Sequence, residues 1–368
     1  MKTIQEIYQS KVMSADRALE LIQDGDYIFS AQAAGEPIEI MSHLQHLKET
    51  GVKGCHLNTC LPLKDYPVFH DPEMKGVLDH NAWFRSAGLR KAYKEHMVSP
   101  VPQSSTSILR KTLQRCEYEH WRPVVICTVS PMDDHGYMSL SVSAIYEMDL
   151  IRYGALVLVE VNPNFPRTFG DTLVHVSQVD AIVEANHPIP LSKIAPYTET
   201  DATIGRYIAD LIEDGSTIQL GIGNIPNAVA NELKKKKHLG IHTEMFTETM
   251  VDLIECGAVD NSQKGLNNGY SACSFTMGSQ RLYDYINNNP AVLFKSCTYT
   301  NDPYTIGLNN KFVSINATLE VDLYGQASSE TVKGLPWSGT GGQSETVQGA
   351  QMSKGGKSFL AFKSTVGQ

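Results

Sequence analysis

Ile208–Pro226 reads IADLIEDGSTIQLGIGNIP, and the order of residue types in it sets the architecture. The stretch from Asp201 to Glu213 places Ile204, Ile208, Leu211 and Ile212 at helical spacing on one face. Asp214-Gly215 stops that helix, and Ser216–Leu220 is an apolar, β-branched run of strand length. Gly221-Ile222-Gly223-Asn224 is a small-residue turn. Pro226 then opens a second helix, Ile225–Leu233, at a position where the missing N–H would have had no partner anyway. Helix, strand, tight turn and helix form the phrase of a parallel sheet with helices packed on it. A matching phrase, LELIQDGDYIFSAQAAGEP, occupies Leu19–Pro37, with a helix over Ala15–Gln23, Ser14 as its N-cap and Gly25 as its stop. The LI-x-DG core shared by the two phrases reads as two copies of one α/β unit.

Val124–Val129, Ala155–Val161, Ala291–Leu293 and Phe312–Ile315 are further short apolar runs between turn residues, as expected for strands buried on both faces. His187-Pro188-Ile189-Pro190-Leu191-Ser192 interrupts the periodicity with two prolines. It divides the chain into an N-terminal domain, 1–188, and a C-terminal domain, 189–368. The expected fold class is therefore α/β, with two similar open-sheet domains. At 368 residues the chain buries enough surface for two ordinary domains without disulfides.

Composition narrows the function. Lys and Arg number 31 against 40 Asp and Glu, a formal net charge of −9, which disfavours a nucleic-acid binder needing an excess of phosphate-neutralising cations. The basic run Lys234–Lys237 reads as a solvated helix end. Seven cysteines without a CxxC or CxxxC pair point to reduced thiols in a cytoplasmic protein, with no zinc site and no metal. The N-terminal MKTIQEIYQSKVMSADRALE carries charges throughout, so no secretory signal is expected. No apolar run nears the ~20 residues of a membrane span.

Three motifs carry chemistry. The Gly221–Asn224 turn between strand and helix lets backbone approach a ligand, and free helix N–H groups there favour an anion. It is no dinucleotide fingerprint, because Pro226 holds the position of the last glycine; a tight turn with no ligand remains the other reading. Leu239–Met245, LGIHTEM, is a short apolar strand that ends by presenting Glu244, where open α/β sheets bind ligands. A carboxylate there is a nucleophile, a general base, a metal ligand or simply a surface or capping residue. Ser338–Gln343, SGTGGQ, is a glycine-rich turn suited to an oxyanion or phosphate, or a plain surface loop. His175 and His187 are ligands or structural residues. No serine-hydrolase elbow is present.

The phrases FGDTLVHVSQVD (Phe169–Asp180), IADLIEDGSTIQLGIGNIPNAV (Ile208–Val229), LGIHTEM (Leu239–Met245), INATLEVDLYGQ (Ile315–Gln326) and SGTGGQ (Ser338–Gln343) occur here in one order. Together they resemble the acetyl-CoA hydrolase/CoA-transferase family, and within it the 4-hydroxybutyrate and butyrate:acetate transferases. The likeness runs from about Ile7 to the last residues. It implies that Glu244 is the nucleophile, that Asn301 in YTNDP offers its amide to the thioester oxygen, and that the Gly342 N–H is the second oxyanion donor. It also implies that Gly221, Ile222, Gly223 and Asn224, with Gly341 and Gln343, line the acyl-CoA site, and that SPMDDHGYMSLS (Ser130–Ser141) is the N-domain segment near it.

The implied reaction is ping-pong transfer of CoA between a short-chain acyl-CoA (butyryl-, 4-hydroxybutyryl- or acetyl-CoA) and a carboxylate such as acetate. Coenzyme A enters as substrate and no cofactor is held permanently. The resemblance further implies a homo-oligomer, at least a homodimer, with neither nucleic acid nor membrane as partner. The alternative readings for this chain, on the same fold, are an acyl-CoA hydrolase and a non-catalytic CoA-binding relative. Two differences from the family pattern stand out. Where relatives read GGQxDFxRGA, Glu345 stands in for the Asp, Thr346 for the aromatic and Gln348 for the Arg. The family's chains also continue past SKGGKSFLAFKST, so the C-terminal domain is expected to be short by several tens of residues.

Overall fold

The computed structural model describes residues 2–193 and 196–365, and the chain folds into two compact units. One comprises Met1–Gln103 with Ser107–Pro190, the other Ser104–Thr106 with Leu191–Gln368. The division falls inside the proline-containing segment His187–Ser192.

In the first unit a seven-stranded sheet runs Ala181–Glu184, Leu156–Val161, Pro123–Val129, Tyr27–Ser30, Cys55–Thr59, Leu78–Ala82, Val98–Pro100 from edge to edge. Every pairing in it is parallel. Pro123–Val129, in the middle, is buried at every position, which is why its sequence is apolar without alternation. Ile28, Leu57, Ile126 and Leu158 pack with Leu19, Ile40 and Met41 into one core.

The second unit has a four-stranded parallel sheet in the order Gly240–Ile241, Thr217–Leu220, Phe312–Ala317, Lys357–Ala361. Beside it, Met245–Phe246 pairs with Phe275–Thr276, and Ser271–Cys273 with Val292–Phe294, again in parallel. The fold class is α/β.

The two DG phrases form the same local structure. Gly25 and Gly215 both have positive φ, 76° and 74°. The Asp24 carboxylate accepts the Lys53 N–H at 2.8 Å, and Asp214 accepts that of Lys237 at 2.9 Å. The Gly25 N–H donates to the Lys53 carbonyl at 2.9 Å, and that of Gly215 to Lys237 at 3.0 Å. Three residues on, His56 and Gly240 donate to the carbonyls of Asp26 and Ser216, both at 2.9 Å. In each unit the DG pair thus fixes where the next strand enters the sheet.

Three expectations about elements need correction. The helix expected over Ala15–Gln23 is Ala15–Leu19, four residues shorter, although Ser14 caps it as expected by accepting the Arg17 N–H. Asp26 ends it early: its carboxylate takes the Gln23 N–H at 2.8 Å and pairs with Arg122 at 2.6 Å, drawing the chain into a turn. The helix expected from Asp201 is Glu199–Asp210, because Thr198 and Asp201 form a reciprocal capping box. It stops before Leu211, which is 56% exposed and leaves the buried face. Finally, Leu239–Met245 is not one strand: Gly240–Ile241 and Met245–Phe246 belong to different sheets, and Glu244 sits in the bend between them. Among the described residues no helix is long and apolar enough to cross a membrane.

Candidate active site

Glu244 is held by its backbone before its side chain is considered. Its carbonyl accepts the N–H groups of Ser274 at 2.8 Å and Phe275 at 3.1 Å, so the bend is anchored to the neighbouring strands. Its carboxylate Oε2 accepts from Asn301 Nδ2 at 2.6 Å. Asn301 is fully buried and C-caps the short helix Cys297–Thr300. The sequence TNDP explains that corner: Asn ends one helix, Asp302 caps the next by accepting the Thr305 N–H, and Pro303 begins it. Thr300 Oγ1 donates to Asn301 Oδ1 at 3.0 Å, which turns the amide NH2 toward Glu244. Thr300 is itself fixed by the Ser274 hydroxyl, and by His242 Nε2, 2.8 Å from its carbonyl.

The third group comes from the glycine-rich turn. Gly342 N-caps the helix Gln343–Met352, and it approaches the pair so closely that a Cβ there would lie 1.9 Å from Glu244 Oε2 and 2.4 Å from Asn301 Nδ2. Only glycine fits. Glu244, Asn301 and Gly342, 57 and 98 positions apart along the chain at their extremes, therefore converge on one carboxylate.

The electrostatics of that carboxylate are unusual. Its pKa is pushed up to about 7: desolvation is the largest cause, the Asn301 hydrogen bond opposes it, and the charge of Glu345 adds to it. The residue as a whole keeps an intermediate exposure, so the carboxyl is densely surrounded yet not sealed off. Glu345, in the first turn of Gln343–Met352, is only 3% exposed, and neither of its carboxyl oxygens has a hydrogen-bond partner among the described residues.

The Gly221–Asn224 turn lines a cavity of about 170 Å³. Met245, next in sequence to Glu244, lines it too, with Ile222, Thr247, Glu248 and Met277. Gly223 has φ +125° and precedes the helix Asn224–Leu233. Gly341 and Gln343 flank Gly342 but do not line this cavity among the described residues. Ser130–Ser141 lies in the first unit, where Tyr137–Ser139 pairs with Leu173–His175. His175 and His187 have structural partners: His175 caps a short 3-10 turn at Ser177, and His187 Nε2 lies 2.5 Å from Glu160. Among the described residues no group of three or more His, Cys, Asp or Glu is placed to hold a metal ion.

Residues 1–192 match the model of the acetyl-CoA hydrolase/transferase N-terminal domain, and residues 278–368 that of the C-terminal domain. The chain belongs to the acetyl-CoA hydrolase/transferase family. It is 39% identical to the succinyl-CoA:cyclohexane-1-carboxylate CoA transferase of Geobacter metallireducens, covering 99% of this chain and 82% of that one. To the 4-hydroxybutyrate coenzyme A transferase of Clostridium kluyveri it is 37% identical, over 99% of this chain and 84% of the relative. The crystal structure of RipA from Yersinia pestis superposes with a TM-score of 0.92 at 33% identity, over 100% of this chain and 84% of that one. As a family member the chain is an enzyme of the CoA-transferase type.

Four supporting residues carried no signal that local sequence reading detects. Thr300, Ser274 and His242 orient Asn301 and Glu244 through contacts 26 and 58 residues apart. Lys264, buried, donates to the carbonyls of Ile241 and Tyr270 beneath the same bend. Each is an ordinary residue in an ordinary stretch, and only the fold brings them under Glu244.

Proposed function

We infer that this enzyme transfers CoA between a short-chain acyl-CoA, such as butyryl-, 4-hydroxybutyryl- or acetyl-CoA, and a carboxylate such as acetate, with Glu244 as nucleophile. The observation that supports this most is the convergence on Glu244 of a buried amide donor at 2.6 Å and a glycine backbone with no room for a side chain. A Glu244 oxygen attacks the acyl-CoA carbonyl; the C–S bond breaks and CoA leaves as thiolate, giving an acyl-glutamyl anhydride. The thiolate attacks the glutamyl carbonyl, and the acyl group departs as a carboxylate, leaving a glutamyl-CoA thioester. The second carboxylate attacks that thioester, CoA leaves again, and the thiolate then takes the new acyl group and frees Glu244. Each attack places negative charge on a carbonyl oxygen. The Asn301 amide and the Gly342 N–H are the donors for it, in a poorly solvated site where such donors are strongest. The Gly221–Asn224 cavity takes the acyl end or the adjoining part of CoA.

Two measurements test this. Glu244→Ala should abolish transfer from butyryl-CoA to acetate, and it should remove the covalent CoA adduct that borohydride traps on the parent enzyme. Transfer at the parent rate would discard Glu244 as the nucleophile. Free CoA release with and without acetate separates transfer from hydrolysis: a transferase releases little free CoA and needs the acceptor, whereas a hydrolase liberates CoA in water alone.

A further inference from the structure

Glu345 is the feature of the site that transfer chemistry leaves unused. It is the third residue of the helix Gln343–Met352, and the residue capping that helix, Gly342, abuts the Glu244 carboxylate. Both carboxyl oxygens of Glu345 are buried without a hydrogen-bond partner among the described residues. A buried carboxyl without a donor is costly and usually carries a task. The helix cannot swing it away, because the next residue is pinned: Thr346 Oγ1 lies 2.9 Å from Ser314 Oγ, accepts from Asn316 Nδ2 at 3.3 Å and donates to the Gln343 carbonyl at 3.0 Å.

Other titratable groups on the elements around Glu244 are engaged elsewhere or are not acids. His242 faces the Thr300 carbonyl and Lys264 the carbonyls of Ile241 and Tyr270; burial lowers both, to about 4 and about 7. Burial raises the Cys273 thiol. Cys297 donates to the Ser105 carbonyl, the Tyr299 hydroxyl to Asn267, and Glu248 pairs with Arg281 at 3.5 Å. Glu345 is thus the second carboxyl of the site, and its charge is the one that bears on Glu244.

We propose that Glu345 is a positioning residue that acts through Glu244, its buried carboxyl making the free Glu244 carboxylate unfavourable and so favouring the covalent forms. This rests on Glu244 being the nucleophile. Whenever both are ionised, two carboxylates in one poorly solvated site repel. In the anhydride and in glutamyl-CoA, Glu244 carries no charge, so the repulsion vanishes as the covalent bond forms. A like charge also raises the proton affinity of its neighbour, and a more basic carboxylate is the better nucleophile. Three positions on from Glu345 stands Gln348, so no guanidinium at that position offsets the acid.

The test compares the parent enzyme with Glu345→Gln and Glu345→Asp, reading kcat/KM against pH and the fraction of enzyme trapped as glutamyl-CoA. Glu345→Gln should move the acid limb of the profile down by roughly one pH unit and reduce the trapped fraction by about tenfold. Glu345→Asp keeps the charge and should restore both towards the parent values. Should Glu345→Gln fail to fold, Glu345→Met removes the charge with no polar atom left to satisfy, and the same shift is expected. An acid limb that stays put in the neutral variants overturns the proposal, since a merely structural role changes rate or stability without moving it. If the parent itself yields no adduct on Glu244, the nucleophile assignment fails instead.

Discussion

At the level of single residues, the site is a contest over one carboxylate. Burial and Glu345 push the Glu244 pKa up to about 7 from its ordinary 4.5, while Asn301 pulls it down. If Glu244 is the proposed nucleophile it must be ionised to react, so activity should be present above that value and lost as pH falls through it. The kcat/KM of the parent should therefore decline about tenfold per pH unit below roughly pH 7. A flat profile down to pH 5 would contradict the raised value. Asn301→Ala removes the opposing hydrogen bond as well as the proposed oxyanion donor. It should displace the acid limb to higher pH and lower kcat by about 10²–10³, both read from the same pH–rate series. That Glu244, Asn301 and Gly342 come together was legible because their motifs occur in one order along the chain. Their surroundings were not: HTEM gives no sign that Glu244 lies in a bend between two sheets, and the orientation of the Asn301 amide depends on Thr300, Ser274 and His242.

Secondary-structure elements extend the same lesson. Strands were the most legible, since buried parallel strands are apolar throughout; Val124–Val129 and Phe312–Ile315 fall within the observed Pro123–Val129 and Phe312–Ala317. Helix ends were less so, because they are set by polar side chains whose partners lie far off, as Arg122 on Asp26 does after Ala15–Leu19. The helix Gln343–Met352 is held in this way. Thr346 joins Ser314, Asn316 and Gln219 in a buried hydrogen-bond network across two strands. Thr346→Val keeps the shape but removes the hydroxyl, leaving buried partners unsatisfied. It should destabilise the protein by about 1–3 kcal/mol, measured by urea unfolding, and should slow transfer because Gly342 and Glu345 are carried on that helix. Parent-like stability together with parent-like transfer would show that the network does not hold the helix.

Across the whole molecule, the repeated DG phrase is the strongest sign of one α/β plan used twice, and it makes a prediction in each unit separately. Asp24 and Asp214 do one job with the same spacing: each takes a Lys N–H from the chain about to enter the next strand, and each adjacent glycine donates to that lysine's carbonyl. If this pair of bonds sets strand entry, its loss should be felt locally and alike in both copies. Asp24→Ala should speed hydrogen exchange around Lys53–His56, and Asp214→Ala should do so around Lys237–Gly240. Both aspartates are exposed, so the cost of each is modest, about 0.5–1 kcal/mol, or roughly two- to fivefold in protection. The measurement is exchange mass spectrometry resolved to peptides covering the two segments, with Asp210→Ala, an exposed aspartate at the end of Glu199–Asp210, as a control. Equal responses in the two copies would make the phrase a working part of the repeat. A response in one copy alone would mean that only that unit depends on it, the other strand being positioned by its core packing.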